Sequence, residues 1–155
     1  MAKYIYKGHS VTGGSGEGQA AKCSNFLPIR AIGKKEIKTA LSGAWINGDN
    51  KNGLGGVNIA GRVLFVDSIS ADGYSEAVMN AAVKNGVAPL AILFREKCDT
   101  LIANMAICTA LCAEKGLILV DRLGDKPFDF AADGDKVIIK EDGTVIIEKI
   151  TALSV

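Results

Sequence analysis

The residues best placed to do chemistry lie in one short stretch, Ser68-Ile69-Ser70-Ala71-Asp72-Gly73, between the apolar run Gly61 to Asp67 and a helical pattern starting at Tyr74. Hydroxyls at the carboxyl end of a buried strand, beside the amide donors of a helix N-terminus, suit a carboxylate or a phosphate. Ser68, Asp72 and Gly73 would line such a site, with Asp72 or Ser70 capping the helix. A serine hydroxyl needs a neighbouring charge to move a proton near neutral pH, and Arg62 is the basic residue nearest in sequence. The same loop also reads as an ordinary capped connection between strand and helix.

Other reactive residues are sparse. The single histidine, His9, has no acidic or cysteine neighbour in sequence, so no Ser-His-Asp or Cys-His arrangement is legible around it. The Gly-rich run Thr12 to Gly18 lacks a following helix pattern and a Lys-Ser/Thr pair, which argues against a phosphate loop. Of the four cysteines, Cys108 and Cys112 share one helix face by their spacing and read as buried, reduced core residues. A metal site would need further ligands, and only Cys98 is a candidate. By itself the chain lacks an obvious general base.

The elements that must position these residues follow from periodicity. Gly61–Asp67, Gly86–Phe94 and Gly116–Asp121 read as buried strands. Tyr74–Asn85 and Asp99–Ala113 read as the helices between them. This alternation predicts parallel β-α-β-α-β pairing over residues 61 to 121. Lys3–Val11 and Gln19–Phe26 read as two further strands, and residues 134–149 as a hairpin turning at Asp142-Gly143, expected to close one edge of the parallel strands. Residues 27 to 60 form a long, glycine-broken connection holding the only tryptophan, Trp45, expected to pack as a lid on the core.

The chain has 155 residues, 48% of them hydrophobic and 6% aromatic, consistent with one α/β domain with an aliphatic core. With 18 basic and 17 acidic residues its net charge is +1, which gives no footprint for nucleic acid or an anionic membrane. No apolar leader or 18-residue apolar span is present, and a cytoplasmic location is expected.

The segments Gly14-Ser15-Gly16-Glu17-Gly18-Gln19-Ala20, Leu41-Ser42-Gly43, Gly56-Val57-Asn58-Ile59-Ala60-Gly61-Arg62-Val63-Leu64 and Asn85-Gly86-Val87-Ala88-Pro89-Leu90-Ala91-Ile92 stand in an order that resembles the aconitase X swivel domain. The resemblance runs from about residue 5 to residue 140. It implies a swivelling β/β/α fold, a central sheet or flattened barrel flanked by helices. It also implies the small subunit of a hydro-lyase that dehydrates a small hydroxy acid, of the cis-3-hydroxy-L-proline or mevalonate 5-phosphate class. The partner would be a large aconitase-like subunit carrying an iron–sulfur cluster, with no cofactor in this chain. A serine of the loop before the helix would be the acid/base, and Ser70 and Ser75 are both counterparts. The loop here lacks the consecutive serines of the family pattern, which leaves a second reading, a non-catalytic relative that binds a small anion or regulates an assembly. On the catalytic reading, residues 68–75 are expected to face a concave surface near the Gly13–Gly18 loop, and the chain to be inactive alone.

Overall fold

The fold is given by a computed structural model that describes residues 2–26, 28, 44–49, 51–69 and 73–150. Its strands are β1 (Lys3–Lys7), β2 (His9–Ser10), β3 (Gly16–Phe26), β4 (Val63–Ile69), β5 (Ala91–Phe94), β6 (Ile118–Asp121), β7 (Lys136–Ile139) and β8 (Thr144–Glu148). The helices are α1 (Gly73–Lys84), α2 (Thr100–Cys112) and the short α3 (Lys126–Phe130). As the alternation predicts, β4, β5 and β6 pair in parallel, with Val63 opposite Ala91 and Ala91 opposite Ile118.

Why these strands read as unbroken apolar runs is plain from their two faces. Val63, Phe65, Ala91, Leu93, Ile118 and Val120 point into a core shared with Phe128, Val137, Ile139, Val145 and Ile147. Their neighbours Leu64, Val66, Ile92, Phe94 and Leu119 point the other way, onto Met79, Ala82, Ile102, Met105 and Ala106 of the helices. A strand buried on both faces has no polar side to show. Trp45 belongs to the helix-side core, fully enclosed, with its ring 5.9 Å from that of Phe26.

Three expectations are corrected. The segment Lys3–Val11 is not one strand, because it breaks at Gly8 into β1 and β2, which pair antiparallel with β8 and β6 respectively. The hairpin β7–β8 does not border the parallel strands. β3 lies between, its first residues antiparallel to β7 and its later ones parallel to β4. β3 also begins at Gly16, inside the Gly-rich run. Gly16 and Gly18 are small because a Cβ would lie 2.9 Å from the Leu90 side chain and 2.5 Å from the Gly61 carbonyl oxygen respectively.

The sheet order is β1-β8-β7-β3-β4-β5-β6-β2. Since only Gly8 separates β1 from β2, one segment of chain holds both ends of that order and brings them together at Gly8. The fit is tight at Gly8. A Cβ there would sit 2.5 Å from Val120 Cγ1 and 2.8 Å from Leu123 Cδ2. We predict that Gly8→Ala lowers stability by about 1–3 kcal/mol, the usual cost of overpacking a filled core. Thermal unfolding would check this, and an unchanged midpoint would contradict it.

A second tie is Asp135, which is buried just before β7. Its carboxylate accepts from Ala132 N at 2.8 Å, Ile150 N at 3.2 Å and Lys149 Nζ at 2.8 Å. Burial works to raise the proton affinity of this carboxyl, but Lys149 and the two amides more than offset it, and its pKa falls below the ordinary value. A lowered folded-state pKa adds stability above the unfolded value of about 3.9, and that part is lost as pH falls through the folded value. Urea titrations from pH 7 to pH 3 should therefore show stability falling at the acid end. Asp135→Asn should be less stable at pH 7 and have a flatter acid limb.

Candidate functional site

The carboxyl ends of β4 and β5 open into a cavity of about 350 Å³ whose lining includes Asp67, Ser68, Arg95, Lys97, Cys98 and Asp99. β5 ends where its apolar run gives way to Arg95-Glu96-Lys97, and Asp67 and Ser68, near the end of β4, are already polar and exposed. Asp99 is spent on local structure. It is the N-cap of α2, accepting from Leu101 N at 2.7 Å. The Ser68 hydroxyl is directed at Ser24 O and Asn25 Oδ1, each 3.3 Å away on β3.

Arg95 is the organising cation. Its Nη2 and Nε donate to Asp67 Oδ1 at 2.8 and 3.3 Å, and its Nη1 donates to Asp125 Oδ1 at 3.1 Å. Its guanidinium also lies 4.5 Å from the centre of the Phe128 ring, so charge pairing and ring stacking both fix it. The bond to Asp67 is the main reason its proton is held still more firmly than usual. Both Arg95 bonds to Asp67 fall on Oδ1, so among the described residues no donor occupies Oδ2.

A constellation that the sequence did not reveal lies alongside. Antiparallel pairing of β2 with β6 sets His9 opposite Asp121, and His9 Nδ1 lies 2.9 Å from Asp121 Oδ1. Asp121 is 2% exposed, and its Oδ2 accepts from the backbone N–H of Cys98 at 3.0 Å. The Cys98 thiol is pushed up in pKa by burial first and then by Asp121. His9 therefore does have an acidic partner, Asp121, brought from 112 residues away, with Cys98 bonded to the other oxygen of that carboxylate. The carboxylate stands between them and keeps the thiol protonated, so this group braces the cavity wall and is not a nucleophile with its base. Asp121→Ala should cost about 1–3 kcal/mol by stranding the Cys98 N–H. It should also speed thiol alkylation at Cys98. Unchanged stability and alkylation rate would contradict this account.

The sequence-derived site residues fall in several places. Ser70 and Asp72 lie outside the described residues, as does the Leu41-Ser42-Gly43 segment. Ser68 lines the cavity, and Gly73 is the first residue of α1, next along the chain after β4. Ser75 is wholly buried, 0% exposed, in the first turn of α1. Arg62 precedes β4 at its other end, so the strand separates it from Ser68 by about 20 Å and it does not join the loop. The Gly-rich loop is also corrected. Thr12 to Ser15 flank a different cavity with Leu90 and Gly116 to Ile118, at the amino ends of the parallel strands.

The cysteine expectation is corrected as well. α2 buries Ile102, Met105, Ala106 and Thr109, which leaves Cys108 half-buried at the flank and Cys112 exposed. Cys23 is the buried one, its thiol pushed to about 12 chiefly by burial. All four are free thiols, Cys108 and Cys112 one turn apart on α2 and the other two on separate elements, and no group of three metal-ligating side chains occurs among the described residues. No helix among them is long and apolar enough to cross a membrane.

Residues 5–147 match the family model described as the aconitase X swivel domain. The chain is 32% identical over 143 residues to the phosphomevalonate dehydratase small subunit of Methanocella arvoryzae, covering 92% of this chain and 96% of that protein. It is 29% identical over 139 residues to the protein of the same name from Methanosarcina mazei, covering 90% and 87%. In three dimensions it resembles Thermococcus kodakaraensis aconitase X in its holo-form, with a TM-score of 0.73 at 24% identity, over 94% of this chain and 99% of that one. This last likeness is one of fold.

Proposed function

Because the chain belongs to the aconitase X swivel domain family, we propose that it is the small subunit of a two-part hydro-lyase that dehydrates a small hydroxy acid, phosphomevalonate being the leading candidate. The observation that carries this is the match with dehydratase small subunits along nearly their whole length, 96% in one case and 87% in another. The partner is a large aconitase-like subunit, and the pair works in the cytoplasm. The iron–sulfur cluster is assigned to that subunit, since the four cysteines here sit on β3, on the loop after β5 and along α2 without converging. When bound there, the cluster supplies a Lewis acid for the departing hydroxyl.

Dehydration removes a proton from the carbon beside the carboxylate and a hydroxyl from the next carbon, leaving a double bond and water. The part of this chain is to bind, orient and shield. Ser68 offers a hydroxyl to the substrate, and Arg95 holds Asp67 in a fixed orientation with one oxygen open. The large subunit closes the cavity, excludes water and strengthens each of these contacts. Ser70 is assigned the proton transfer in preference to Ser75, whose enclosure within α1 keeps it from substrate.

The same enclosure, with the altered serine loop, supports the second reading, a small-anion-binding or regulatory relative without catalysis. Serine variants of the assembled complex separate the two. On the catalytic reading, Ser70→Ala lowers kcat by about 100-fold or more with partner affinity unchanged, the range of a positioned acid/base. Ser75→Ala changes stability more than turnover. Equal turnover in the wild type and in both variants would favour the non-catalytic reading.

A further inference from the structure

A second cleft, of about 320 Å³, adjoins the cavity across Asp67, which lines both. Lys22 and Ser24 of β3, Lys51 and Asn52 of the loop before β4, and Phe128 are among its lining residues. Neither lysine ammonium makes an ion pair among the described residues, unlike Lys3, Lys7, Lys136 and Lys149. Asn52 is 2% exposed, and its Oδ1 accepts from Asn47 Nδ2 at 2.7 Å and from Leu54 N at 3.0 Å. Those two donors fix the amide's orientation, because exchanging its oxygen and nitrogen would set donor against donor. The Nδ2 is therefore the end left over, and it has no partner among the described residues. A buried donor without an acceptor is costly enough to need a reason. The loop that carries it is tied down, since Asn52 O accepts from Ser24 N at 3.1 Å.

Two unpaired cations and a hydroxyl beside an aromatic ring describe a site for an anion attached to a short carbon chain. The one acidic group in the lining, Asp67, is offset by Arg95. We propose that this cleft is the subsite for the phosphoryl group of a phosphorylated hydroxy acid. The hydroxyl-bearing end of the same molecule would lie across Asp67 in the cavity with Ser68 and Arg95. The inference rests on the dehydratase reading and deepens it. Binding energy gathered at a remote phosphate holds the reacting carbons in place.

The test is titration of the full chain with inorganic phosphate, followed by amide chemical shifts, with acetate as the singly charged comparison. The proposal predicts saturable shifts at Ser24 and at Lys51 to Gly53, with acetate binding more weakly. Lys22→Ala and Lys51→Ala, both surface changes, should each weaken phosphate by about tenfold, the worth of one charge-assisted hydrogen bond. Asn52→Asp keeps the Oδ1 contacts and should also weaken it. Absent shifts in the wild type, or equal affinity in the lysine variants, would overturn the proposal. In the assembled dehydratase the lysine variants should lower kcat/KM for the phosphorylated substrate, through a raised KM and a reduced kcat. An active complex indifferent to both lysines sinks the subsite alone. Phosphate binding at these lysines with no dehydration by the complex sinks the dehydratase reading and leaves the subsite standing.

Discussion

The passage of the chain through Gly8 is the constraint on which the rest of this structure depends. β1 must pair with β8 and β2 with β6, and a single residue connects them. At that residue the backbone runs against Val120 and Leu123, and its N–H donates to Gly143 O at 3.0 Å. The β7–β8 turn is tight for the same reason. A Cβ on Gly143 would meet Gly8 O at 2.6 Å, and Gly143 has a φ of +88° besides. The passage here leads the chain from β8 to β6 and fixes β2 against β6, which sets Asp121 opposite His9. It also gathers the carboxyl ends of β4, β5 and β6 at one end of the sheet.

Much of this was legible in the sequence, and the parts that were not have definite causes. Strands buried on both faces leave uninterrupted apolar runs, so β4, β5 and β6 and the helices between them could be read from composition and length. The hairpin turn was carried by Asp142-Gly143, whose glycine adopts the left-handed φ that such a turn needs. The start of β3 was not legible, because Gly16 and Gly18 look like loop glycines. They are strand residues kept small to admit Leu90 and the Gly61 carbonyl. The buried side of α2 was not legible either. The helix is apolar nearly all round, Leu101 and Leu111 being exposed, so periodicity could not choose a face and placed Cys112 inside.

For the site, local sequence reaches only as far as one connection. It singled out the loop after β4 because strand, hydroxyls and helix start are contiguous there. It could not find Arg95, which comes from the end of β5 and joins Asp67 and Asp125 from two other segments. Nor could it pair His9 with Asp121, since that contact exists only once β2 has paired with β6. It misplaced Arg62 and the Gly-rich loop because nearness along the chain says nothing about which end of a strand a residue occupies. The site that results is a shared one. Asp67 stands between a cavity lined by Arg95 and a cleft bordered by Lys22 and Lys51.

The central claim is that this chain is half of a dehydratase, and the most direct measurement is reconstitution from purified parts. The chain, the large aconitase-like subunit, and an equimolar mixture of the two are each assayed for dehydration of 5-phosphomevalonate, with complex formation followed by sedimentation. The account predicts a one-to-one complex and turnover in the mixture only. Dehydration by the single chain, or a stable complex that converts no hydroxy acid, would contradict it.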